Sequence, residues 1–196
     1  ARDLFTEFVY VGPELLRFTD AFKGLITGQE DLRTTGKLQA EVDRLKGAAR
    51  GFYKDYDKTV DERIFKALLP IYRSNVDPAN APPALQDIDI RFKGNMDAYV
   101  ADVYARSVFT DSTALFKLLN APSPKALKKL AKDPAFTLSQ SFYKSFLEGV
   151  RPKLATSSDR VEAGMRTYMK GLMTLYPGKT FWPDANSTLR LTYGKV

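Results

Sequence analysis

Four lysines in PSPKALKKLAKDPAF, residues 122 to 136, fall at i, i+3, i+4 and i+7: Lys125, Lys128, Lys129 and Lys132. On a helix that spacing puts four ammonium groups on one face and Leu127, Leu130 and Ala131 on another. The chemistry on offer is capture of an anion, since each neutralised phosphate would release counterions. No aromatic or Arg side chain that could stack on a base sits among the lysines, so a solvated helix face is the preferred assignment and nucleic acid is not an expected partner. A second cluster, Asp55, Asp57, Asp61 and Glu62, offers carboxylates for acid–base work. The same residue types also cap and solvate helix ends, and that role is expected here.

The chain contains no histidine and no cysteine. A Ser-His-Asp triad lacks its base, a Cys-His dyad lacks both members, and His- or Cys-based metal sites lack their ligands. There is also no GxxxxGK[ST] loop and no GxGxxG following a strand. What survives is carboxylate, Lys, Tyr or Ser-Lys chemistry, and no metal ligand or cofactor is assigned within these residues. Charge is unevenly placed along the 196 residues, whose net charge is +7. Residues 1–98 carry 15 Lys and Arg against 16 Asp and Glu, whereas residues 99–196 carry 15 against 7. A basic second half suits an anionic partner or an acidic neighbouring domain, and suits a lysine-rich solvated surface equally well.

The elements that must position these groups read almost entirely as helix. Gly12-Pro13 starts a helix over Pro13 to Ile26 with Leu15, Leu16, Phe18, Phe22, Leu25 and Ile26 on its apolar stripe. A long helix from Asp31 to Asp57 carries Leu38, Val42, Leu45, Ala49, Phe52 and Tyr56 at alternating spacings of four and three, a heptad seam. Gly36, Gly47 and Gly51 within it suggest close helix packing, and Gly164 and Gly171 suggest the same further on. Thr59 and Glu62 form a capping box for the next helix, which Pro70 should kink or end. VDPANAPPAL, residues 76 to 85, is a stiff proline-rich connection. Asn95, Asp111 and Asp133 cap three further helices, the first carrying Met96 to Val108, and Ser157 or Ser158 caps the last. That last helix carries Val161, Met165, Tyr168, Met169, Leu172 and Leu175, expected to fill core, and Tyr176-Pro177-Gly178 stops it. No apolar run reaches the length of a transmembrane span.

The ending differs. Ser187 to Val196 alternates like a strand, with Leu189, Leu191 and Tyr193 on one face and Thr188, Arg190 and Thr192 on the other. No second convincing strand is available to pair with it, so the chain is expected to be a fragment of a larger protein. The expected fold is all-α, a multi-helix bundle with a short C-terminal β segment. Its division is into a helical domain over 1–178 and a turn and strand over 179–196. Alone, such a tail would pack on the helices, stay mobile or pair with the tail of another copy, giving a homodimer.

WPDANSTLRLTYGKV, residues 182 to 196, resembles the bacterial serine dipeptidyl peptidases of the dipeptidyl-peptidase 7 and 11 family, with Trp182 where Tyr is expected. DPAFTLSQSFYKSF at 133–146 and RTYMKGLMTLYPGKTF at 166–181 resemble it too, and the similarity covers nearly the whole chain. The motif residues are Asp184, Ala185, Asn186, Ser187, Thr188, Arg190, Thr192, Tyr193 and Gly194. Their expected role is structural: Asp184 and Asn186 are short polar turn formers at a corner before the strand.

The resemblance implies a chymotrypsin-like double β-barrel with a helical domain inserted between the barrels, and this chain is similar to the later part of that insertion plus the strand re-entering the catalytic domain. The triad His and Asp would then precede residue 1, and the Ser would follow residue 196. The residues gripping the substrate's free amino terminus would also lie outside. Partners implied are the catalytic β-barrel of the same chain and a peptide substrate, in the periplasm or at the cell surface. The competing assignment is a stand-alone helical adaptor or anionic-ligand module using the basic second half, which would show steeply salt-dependent binding to DNA.

Overall fold

A computed structural model describes residues 2–182. They form helices α1 to α12, short π and 3-10 turns and connecting loops, with no strand among the described residues. The all-α expectation holds. The expected turn and strand, with Asp184, Ala185, Asn186, Arg190, Tyr193 and Gly194, lie outside the described residues. The chain divides into two compact units, Ala1–Leu154 and Ala155–Val196.

In the first unit, α1 (Arg2–Phe5) and a π turn (Thr6–Val11) lead into α2 (Glu14–Asp20) and α3 (Lys23–Thr27). The sequence pattern predicts one helix over Pro13 to Ile26; the structure breaks it at Ala21-Phe22. There the Phe22 amide bonds the Thr19 carbonyl three residues back, and Thr19 Oγ1 donates to the Leu16 carbonyl, tightening the turn. The next expected helix also divides, into α4 (Gln29–Thr34) and α5 (Leu38–Asp55). Gly36 takes φ +68°, its amide bonds Arg33 O, and the Lys37 amide bonds Leu32 O at 2.8 Å, a Schellman stop that a residue with a Cβ would strain.

The seam on α5 is real. Val42, Leu45 and Ala49 are fully buried against α3, α4 and α9 (Ser112–Asn120), while Phe52 stacks on Phe18 at 3.8 Å between ring centroids. The glycines play no part in it. A Cβ at Gly47 or Gly51 would meet nothing within 4 Å, and both are exposed. Close packing at these glycines is thereby overturned. Gly47→Ala and Gly51→Ala should each raise stability by about 1 kcal/mol through helix propensity alone, read as a higher urea midpoint. A lowered midpoint would show that the glycines are required after all.

α6 (Lys58–Asn75) begins one cap earlier than the sequence suggests: Asp57, not Thr59, accepts from the Thr59 and Val60 amides at 2.8 and 3.0 Å. Pro70 does not end the helix, which continues for five residues past it. The proline removes the ladder donor to the Lys66 carbonyl and crowds it, yet the helix runs on. The proline-rich connection forms two 3-10 turns, Pro78–Asn80 and Pro83–Leu85, inside the first unit. α7 (Gln86–Phe92) follows, then α8 (Met96–Arg106), capped by Asn95 as expected but ended before Val108, which enters a 3-10 turn. Asp111 caps α9 as expected.

Then come α10 (Pro124–Ala131) and α11 (Pro134–Ser145), the latter capped by Asp133. α11 packs on α2, α8 on α6, and α10 on α3. Rings from the N-terminal turn, α6 and α11 meet in the core: Phe8 lies 5.5 Å from Phe65, 4.6 Å from Tyr72 and 5.2 Å from Phe142. Such ring pairs add to the stabilisation from area burial.

A π turn (Phe146–Val150) leads into α12 (Arg151–Leu175), which passes through Ser157 and Ser158 unbroken. Neither serine caps it, because no Gly or Pro lies between Pro152 and Ser158 to stop a helix already under way. α12 has no buried residue, and Met165 is 53 % exposed. The expected core role of this stripe is not met within the described residues. Nor do Gly164 and Gly171 pack closely: a Cβ at either meets nothing within 4 Å.

Candidate functional site

Asp61 is buried where α6 meets the start of α2. Pro13, the residue before α2, has no side-chain acceptor for the helix's free amides. Asp61 supplies one from far along the chain, accepting from Glu14 N, 47 residues away, at 2.7 Å and from Leu15 N, 46 away, at 3.2 Å. The hydroxyls of Tyr104 and Tyr56 donate to the same carboxylate at 2.7 and 3.3 Å. Burial raises the Asp61 pKa above the ordinary carboxylate value, and the hydrogen bond from Tyr104 and those from the two amides oppose that rise. Burial likewise pushes the Tyr104 and Tyr56 hydroxyls up, helped by the neighbouring Asp61 charge, so both remain donors at neutral pH.

Asp133 is built in the same way. It accepts from the amides of Ala135 and Phe136 at its own helix start, and from Ser107 Oγ at 2.8 Å and Val108 N at 2.7 Å across the α8–α9 connection. Burial raises its pKa against those bonds.

The four acids read from the sequence therefore do not converge on a reaction centre. Asp57 is a helix cap, Asp61 is the buried clamp, Glu62 pairs with Lys66 at 2.6 Å, and Asp55 is exposed at the end of α5.

The four lysines do converge. Lys125, Lys128, Lys129 and Lys132 are all exposed, while Leu127 and Leu130 are buried beneath them. With Lys117 from α9 they rim an open groove floored by Leu118, Ala121 and Ala126. Sequence reasoning missed Lys117, because it lies eight residues before Lys125 and only the α9–α10 turn brings it alongside. No acidic side chain lines the groove, and among the described residues none of the five lysines enters an ion pair. The arrangement can attract an anion, and the hydroxyl in its lining, Ser123, is engaged as the α10 cap, accepting from the Ala126 amide at 3.1 Å.

Comparison with known proteins decides what the scaffold belongs to. The family model Peptidase S46 matches residues 1–196, the whole chain. The chain belongs to the Peptidase S46 family. Among curated relatives, Dipeptidyl-peptidase 7 of Phocaeicola vulgatus is 40 % identical over 168 residues, 85 % of this chain and 21 % of that protein. The Asp/Glu-specific dipeptidyl-peptidase of Flavobacterium psychrophilum is 30 % identical over 199 residues, all of this chain and 26 % of its own length. A protein of the same name from Porphyromonas gingivalis is 34 % identical over 143 residues, 73 % of this chain and 19 % of that protein. The S46 chain thus spans about a quarter or less of each of these three bacterial relatives. No described helix is long and apolar enough to cross a membrane.

Proposed function

We propose that residues 1–196 are a non-catalytic, helical part of an exported serine dipeptidyl peptidase, walling off the active-site cleft so that only N-terminal dipeptides are released. One observation carries this: a whole-chain S46 match on a chain that holds no histidine or cysteine and whose buried acids serve as helix clamps. A peptidase needs a base and a nucleophile held in register. Here the polar buried groups instead tie helix ends together, giving the rigidity a wall requires. The catalytic β-barrel of the same polypeptide supplies the triad and contacts the peptide substrate.

The isolated chain should therefore release no dipeptide. Purified residues 1–196 incubated with fluorogenic dipeptidyl substrates, among them ones with Asp or Glu at the cleaved position, should match a mock preparation. The full-length enzyme at equal molarity should turn over. Hydrolysis by the isolated chain that survives repeated purification would contradict the assignment.

A further inference from the structure

We propose that the exposed face of α12 seats one α-helix from the part of the full-length polypeptide outside residues 1–196, a helix with an apolar seam and acidic flanks. The inference rests on the placement of this chain within a longer S46 peptidase.

Leu154, Val161, Met165, Tyr168, Leu172 and Leu175 follow one another at spacings of seven, four, three, four and three. That is the period of an amphipathic helix that lays one face on a partner, and the four-three alternation matches the seam of a second helix. Most of the seam is open: Val161 is 65 % exposed, Tyr168 60 % and Leu175 68 %, while Leu154 and Leu172 are half-buried. A helix of this length draws most of its stability from a covered apolar face, and α12 buries no residue.

Gly164 and Gly171 sit one position before Met165 and Leu172, seven residues apart along one border of the stripe. A Cβ at either would meet empty space, so a neighbouring helix can approach closely there.

Charge and length select the occupant. The charged residues bordering the stripe are Arg151, Lys153 and Arg160 against Glu162, which already pairs with Arg166. Two copies of α12 laid together would oppose like charges, whereas a helix flanked by Asp and Glu would be attracted. About three-quarters of each relative's length lies outside the matched region, so a covalently linked occupant is held at high effective concentration.

The test uses the full-length protein with p-benzoylphenylalanine in place of Met165, of Tyr168 or, as a control on the opposite face, of Lys170. Each is irradiated at two concentrations tenfold apart, digested and read by mass spectrometry. At Met165 and Tyr168 the expected product is an intramolecular cross-link to a peptide outside residues 1–196 with a four-three apolar pattern and acidic neighbours. Its yield should be unchanged by dilution and at least fivefold above that at Lys170.

A covalent dimer, a cross-link to residues 2–154 or 183–196, or a yield no higher than at Lys170 overturns the proposal. Should the substituted proteins precipitate, hydrogen exchange on the unsubstituted full-length protein decides. α12 amides protected as well as those of α5 support the docking, and exchange at the rate of an uncovered helix refutes it. No peptidase activity is read, so failure here is distinct from failure of the peptidase assignment.

Discussion

Leu45→Asp should abolish cooperative folding of the first unit or lower its stability by about 3 kcal/mol or more, because it places an unpaired carboxylate at a fully buried position. Leu45 sits mid-seam on α5 with Val42 and Ala49, where α3, α4 and α9 close over it, so water cannot follow the new charge inward. Lys128→Asp changes charge on an exposed helix face and should stay within about 0.5 kcal/mol of the parent. Urea melts of both variants followed by circular dichroism check the pair. Coincident midpoints would mean that the seam does not organise the core.

Asp61→Ala should cost on the order of 3 kcal/mol, since it strips the acceptor from two helix-start amides and two buried tyrosine hydroxyls at once. The pH dependence has a definite sign. Burial sets the folded pKa of Asp61 above its unfolded value, so in the window between the two the native state holds a proton that the unfolded chain has released. Wild type should therefore gain stability relative to Asp61→Ala as pH falls through that raised value. The gain is complete below the ordinary Asp pKa of about 3.9 and lost as pH rises through the folded pKa. Melts of both proteins between neutral and acidic pH read the difference. A gap that shrinks on acidification would show that the hydrogen bonds outweigh burial and that the folded carboxylate is the more acidic state.

What could be read from the sequence was local. Asn95, Asp111 and Asp133 were legible as caps because the amides they accept from lie two or three residues on. The α5 seam was legible because burial follows period. Asp57 and Thr59 were both eligible caps two residues apart, and only geometry separates them. Gly36 was misread because a glycine that stops a helix and one that admits a neighbour look alike in a string of letters, whereas φ distinguishes them. Leu4, Phe5, Phe8 and Val9 carry a helical pattern of their own, too short to stand out before α1 and the π turn pack on the core. The clamp at Asp61 was beyond reach, because its partners at Glu14 and Leu15 become neighbours only after α2 and α6 pack. Lys117 joins the lysine groove for the same kind of reason. On α12 the stripe was visible, but the sequence alone does not say that its cover lies elsewhere.

If this helical part restricts an S46 peptidase to free N-terminal dipeptides, as proposed, removing it should let the enzyme accept blocked substrates. In the full-length enzyme, residues 2–175 are replaced by a short Gly/Ser linker, and a single cooperative melt confirms that the catalytic part folds. kcat/KM is then measured on a peptide with a free amino terminus and on its N-acylated counterpart. A removed wall opens the cleft to longer and blocked chains, so the blocked-to-free ratio should rise at least about tenfold, equivalent to about 1.4 kcal/mol of lost discrimination. An excised enzyme that folds, cleaves the free peptide and still refuses the blocked one at the parent ratio would contradict the account.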